Sequence, residues 1–112
     1  MIKVKWELEE AVALVDLYFR NGQSIDVSIE HLESLSQLYV KRANTLGLSI
    51  DEKFRNIAGL KIQLACIHYV ATNGKEGMSN ASKLFYQTCD LYREDPKRFN
   101  TILRSFYEKY DA

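Results

Sequence analysis

The sequence predicts an all-α protein, a single domain over residues 1–112 built as a bundle of about five helices. Three observations predict it. Apolar residues recur at the 3.6-residue helical period in each long segment, and no segment alternates with the period of two that a half-buried strand needs. Glycine and proline punctuate the chain at intervals of one helix, as Asn21-Gly22, Leu46-Gly47, Asn73-Gly74 and Asp95-Pro96. With 112 residues of which 46% are hydrophobic, the chain can bury one core and is too short for two ordinary domains.

In the first segment, Leu8, Ala11, Val12, Val15, Tyr18 and Phe19 form one stripe, with Asn21-Gly22 as its stop. Glu7, Glu9 and Glu10 sit in the first turn, where carboxylates complement the positive end of the helix dipole. The second segment runs from about Asp26 to Leu46, with Ile29, Leu32, Leu35, Tyr39, Ala43 and Leu46 on one face and Gly47 ending it. The third opens at Ser49-Ile50-Asp51-Glu52, which has the spacing of a capping box, and runs to about Thr72. After the break at 73–77, Ser79 or Asn80 can cap a fourth helix that turns Ala81, Leu84, Phe85, Thr88, Leu91 and Tyr92 inward. Asp95 can cap a fifth, Pro96 fits its first turn, and Phe99, Ile102, Leu103, Phe106 and Tyr110 follow as its stripe.

The third segment is apolar over more than half its circumference, which predicts a central position in the bundle. Its remaining arc collects Glu52, Arg55, Asn56, Gly59, Gln63 and Cys66. A glycine in a helix interior costs about 1 kcal/mol against alanine, so Gly59 predicts close backbone approach, by a neighbouring helix or by a ligand. Arg55, Asn56 and Gln63 are of the types that reach base edges and phosphates. Lys61 and His68 lie between the two apolar sides, where each can snorkel outward or make one core hydrogen bond.

Fifteen basic residues balance fifteen acidic ones, which removes net positive charge as an argument for nucleic-acid or membrane binding. The halves differ: residues 1–52 hold five basic and nine acidic residues, and residues 53–112 hold ten and six. An anionic partner should therefore meet the second half. Cys66 and Cys89 lack metal-site or redox spacing and read as buried thiols, which with the absence of a signal peptide or membrane-length apolar run points to the cytoplasm. No metal, cofactor or catalytic residue is expected: His31 and His68 lie on different helices, and Glu9 and Glu10 read as first-turn charges. Gly74 to Gly77 has the wrong spacing for a P-loop.

Three motifs carry a resemblance. W-E-x-E-E followed by Y-F from Trp6 to Phe19, F-R-N-x-x-G-L-x-x-Q-L from Phe54 to Leu64, and A-T-N-G-K-E-G-M-S-N-A-S-K from Ala71 to Lys83 together resemble a helical module at the N-terminal end of bacterial HNH endonucleases and restriction-type helicases of defence systems. The resemblance implies a helix-turn-helix-like core of the Myb or SANT type, with Trp6 on its first helix and residues 54–64 on its third. Gln63 and Cys66 depart from it, standing where the related modules often carry a lysine and an asparagine. An HNH site needs at least two histidines around a metal on a ββα unit, so any catalytic domain would lie outside this chain.

The resulting expectation is a non-catalytic module that binds or positions double-stranded DNA beside a restriction-type nuclease or helicase. Arg55, Asn56, Lys61, Gln63, Lys75, Ser79, Asn80 and Lys83 are its candidate contacts, the last four forming a phosphate seat at the start of the fourth helix. The alternative is a protein-interaction or oligomerisation domain, with a second copy of the chain among its partners, suggested by zero net charge and seven tyrosines.

Overall fold

The computed structural model describes residues 4–111, and within them the chain is an all-α bundle of five helices with no strand. These are α1 (Leu8–Arg20), α2 (Ile29–Thr45), α3 (Ile57–Ala71), α4 (Lys83–Glu94) and α5 (Pro96–Tyr110). No described helix is long and apolar enough to cross a membrane.

The helix at the centre is α1, not α3. Residues Glu10 to Tyr18 are all buried, and α1 packs against each of the other four helices. Its small residues explain this: Ala11, Val12, Ala13 and Val15 let neighbours approach from every side. The wide apolar arc of α3 meets α1, α2 and α4, yet Ile62 on it remains half exposed. Another part of the arc is crossed by the chain's own 72–82 connection, where the Met78 N–H donates to the Ala65 carbonyl at 3.1 Å.

Helix ends follow the capping chemistry, at positions that partly differ from the expected ones. Asp95 caps α5 as expected, its carboxylate accepting from the Arg98 N–H at 3.2 Å, with Pro96 in the first turn. Ser28 caps α2, which starts at Ile29 rather than near Asp26, and of the expected stripe Ile29 and Leu46 at its two ends stay exposed. The Ser49 capping box does not form. Asp51 instead accepts from the Lys53 N–H at 3.0 Å and starts a turn, Arg55 takes a left-handed φ of +47°, and α3 begins at Ile57 with Asn56 as its cap. No helix can pass through a residue in that conformation. Similarly α4 begins after Ser82 rather than Ser79 or Asn80, because the chain just before it is pinned across α3.

The connections bear on the helix-turn-helix expectation, which needs a turn of three or four residues. Residues 46–56 join α2 to α3 and residues 72–82 join α3 to α4; the short link, Asp95 alone, joins α4 to α5.

Gly59 also has a different reason from the expected one. Asn56 Oδ1 accepts from the Gly59 N–H at 2.9 Å, and a β-carbon on Gly59 would lie 3.1 Å from that oxygen. The glycine leaves room for the cap. Close backbone approach occurs at Gly77 instead, where φ is +93° and a β-carbon would sit 2.4 Å from the Ala65 carbonyl oxygen and 2.7 Å from the Tyr69 nitrogen. Replacing Gly77 by alanine should therefore destabilise the protein by about 2–5 kcal/mol in urea unfolding, combining the left-handed penalty with the clash. Gly47→Ala, at φ +72° with nothing within 4 Å, should lose only about 1–2 kcal/mol; equal losses for the two variants would show that the connection does not lie on α3.

Candidate functional site

A buried carboxylate organises one end of the molecule. Glu10, in the first turn of α1, has a side chain with no exposure at all. Arg55 meets it with two hydrogen bonds, Nε to Oε2 at 2.8 Å and Nη2 to Oε1 at 3.2 Å. Arg42 of α2 lies 3.6 Å from the same carboxylate, bonds Glu9 through Nε and reaches Glu7 at 3.2 Å. Lys109 of α5 completes the set, 3.1 Å from Glu9. A carboxylate removed from water as completely as Glu10 persists only when paired and hydrogen-bonded, and here Arg55 and Arg42 face it, with Glu9, Glu7 and Lys109 extending the network outward to solvent.

The pairing determines the shape around Arg55. The Ser36 hydroxyl donates to the Arg55 carbonyl at 2.7 Å, and the guanidinium lies 4.2 Å from the Trp6 ring centre and 4.5 Å from that of Phe54. Trp6 is fixed in turn by an edge contact to Tyr39, ring centres 5.4 Å apart, and a tilted contact to Phe85 at 5.5 Å. Tyr39 donates its hydroxyl proton to the Glu10 carbonyl at 2.6 Å.

Above this floor opens a cleft of about 830 Å³. Its walls come from residues 4–6, the 49–55 connection, Gln63 of α3 and the 80–85 stretch at the start of α4. Trp6, Phe54 and Phe85 make it predominantly apolar, and Lys5, Lys53, Asn80 and Ser82 give it a polar rim. Neither rim lysine pairs with a carboxylate among the described residues. Asp51 is the acid on the rim, and its Oδ1 is occupied by the Lys53 N–H.

The eight residues singled out by sequence are thus divided. Arg55 turns inward, its side chain 8% exposed and committed to Glu10; Asn56 is spent as the α3 cap. Gln63 and Asn80 line the cleft beside Arg55. Lys61, Lys75, Ser79 and Lys83 are exposed and do not line it. Sequence reasoning did not place Lys5, Trp6, Lys53 and Phe54 in a site, although Trp6 and Phe54 open two of the quoted motifs; all four lie in irregular segments, Trp6 ahead of α1 rather than on it and Phe54 ahead of α3. It also read Glu9 and Glu10 as dipole charges, whereas they anchor two arginines far along the chain.

The remaining polar side chains of the interior are structural. His68 Nδ1 shares a 2.7 Å hydrogen bond with the buried Tyr18 hydroxyl, and its Nε2 lies 3.5 Å from Glu76. Burial pushes the Cys66 thiol up, and that of Cys89 up to about 11, so both stay protonated and unreactive near neutral pH. Among the described residues no group of histidine, cysteine, aspartate or glutamate side chains could hold a metal ion.

No family model, curated protein or solved structure matches this chain, so nothing beyond the motifs themselves links it to HNH endonucleases or restriction-type helicases.

Two outcomes test the ionic centre. Glu10→Gln should cost about 3–5 kcal/mol in denaturant unfolding, because it strands the Arg55 charge without its partner; a loss below about 1 kcal/mol would mean that Arg55 finds water. Burial pushes the Glu9 carboxyl up, but hydrogen bonds and charge from Arg42 and Lys109 outweigh it and hold the group below its ordinary 4.5. A lowered folded-state value means that this stabilisation is complete above 4.5 and is lost as pH falls below it. An acid titration of thermal stability should therefore flatten below that value in Glu9→Gln relative to the parent.

Proposed function

We propose that this chain is a non-catalytic protein-interaction module whose cleft receives a short acidic, partly apolar segment. One observation carries the reading: an apolar cleft of about 830 Å³, rigid because Glu10 and Arg55 lock its floor, with Lys5 and Lys53 on its rim and without carboxylate partners among the described residues. A site of that size with a preformed apolar floor suits inserted side chains, and flanking cations favour acidic neighbours. Ser82, at the cap position of α4, makes no side-chain cap hydrogen bond, so the start of that helix adds its partial positive charge to the same rim. Duplex DNA is convex and fits a concave cleft poorly, and the fork of donors that reads guanine is already engaged at Arg55.

The reading as a DNA-binding module of a restriction-type defence system keeps one support. Lys61, Lys75 and Lys83 are exposed and pair with no carboxylate among the described residues, which suits contact with phosphates but not base recognition.

The one tryptophan of the chain, Trp6, lies in the cleft and reports on its occupant. Short peptides mixing aspartate or glutamate with isoleucine or leucine should give a saturable change in Trp6 emission. The change should weaken with added salt, fall at least tenfold in affinity in Lys53→Glu, and disappear when lysine replaces each acid. Silence from every acidic peptide would overturn the reading. A salt-sensitive mobility shift of a short duplex that is lost in Lys61→Glu with Lys83→Glu would instead favour DNA.

A further inference from the structure

The chain itself carries a surface of the kind this cleft fits. At the corner where residues 21–28 lead into α2, Ile25 is 49% exposed and Ile29 is 57% exposed. Asp26, Glu30 and Glu33 stand exposed around them. Arg20, the cation at the end of α1, is engaged by Asp16 at 2.7 Å, and the His31 ring contacts the Ser28 hydroxyl at 3.0 Å. Acids in the first turn of a helix complement its dipole, but about half of each of two large aliphatic side chains is left in water beside them.

None of these corner residues lines the cleft. Ile29 lies seven residues before Ser36, the contact of the Arg55 carbonyl, and so about 10 Å along a rigid helix from it. The corner cannot bend into its own cleft. A second copy can present it. The exposed acids of the corner, Asp26, Glu30 and Glu33, and the rim lysines of the cleft, Lys5 and Lys53, then become complementary between molecules.

We infer that the cleft of one copy receives the Ile25–Ile29 corner of another, with the isoleucines against Trp6 and Phe54 and with Glu30 and its acidic neighbours against Lys53 and Lys5. This inference rests on the protein-interaction reading and names its partner. Because every copy bears both surfaces, the contact closes as a reciprocal pair or continues as a chain. Both are self-association through the same two patches.

Light scattering of the full chain tests it. The mass should rise above 13.0 kDa with concentration, over a range from roughly tens of micromolar to about a millimolar, and should fall back with added salt. Ile29→Lys removes the corner and Lys53→Glu removes the rim, both at exposed positions, so each variant alone should keep the parent's circular dichroism and stay monomeric. Mixed in equal amounts, one supplies an intact corner and the other an intact cleft, and the mixture should recover association. Should either variant fail to fold, Glu30→Lys and Lys5→Glu serve in the same design. Variants that still associate, or a mixture that stays monomeric while the parent associates, would overturn the inference. A parent that stays monomeric throughout, while acidic peptides still move Trp6, would overturn the self-pairing and leave the interaction reading standing. A monomer that is silent to every peptide would sink both.

Discussion

A carboxylate sealed from water at Glu10 governs more of this structure than any apolar contact does. It sits in the first turn of the central helix, where ionised oxygen atoms must find cations or the helix cannot be buried. Arg42 approaches from α2, but the paired hydrogen bonds come from Arg55, on the connection between α2 and α3. To bring that guanidinium inward, the backbone turns left-handed at Arg55, which stops α3 from starting until Asn56 can cap it and leaves Gly59 beneath the cap oxygen. The helix boundary, the cap and the glycine are thus consequences of one buried charge.

The same arrangement makes the cleft. Arg55 holds Trp6 and Phe54 on either side of its guanidinium, while Phe85 closes the base from α4. A groove whose floor is fixed in the folded monomer pays little ordering entropy when it is filled, so a modest occupant can be retained. Arginine and lysine divide the work in the way their chemistry favours: planar, weakly hydrated guanidinium groups serve the buried pairs, and strongly hydrated ammonium groups stay at the rim.

A second close approach shapes the opposite side of α3. Gly77 brings the 72–82 connection against the backbone of α3 at Ala65 and Tyr69, and α4 starts only after Ser82. That connection holds Lys75, Ser79 and Asn80, so the same contact that covers α3 also decides which of these residues can meet the cleft, and only Asn80 does.

Local chemistry was readable without coordinates wherever it depended on neighbours in the chain. The stripes of α1 and α5, the Asp95-Pro96 start and the buried thiols follow from spacing and capping within a few residues. Long-range pairing was not. Glu10 looks like any first-turn acid and Arg55 like any polar residue on a helix face, because the energy of their contact depends on a separation of 45 positions being closed in space. The sequence by itself determined the all-α class, its five helices and its single core, since periodicity and punctuation act locally. Tertiary structure alone decided that α1 is central, that Arg55 belongs to the interior and that Lys5, Trp6, Lys53 and Phe54 share one opening, because desolvation and charge pairing exist only once distant segments meet.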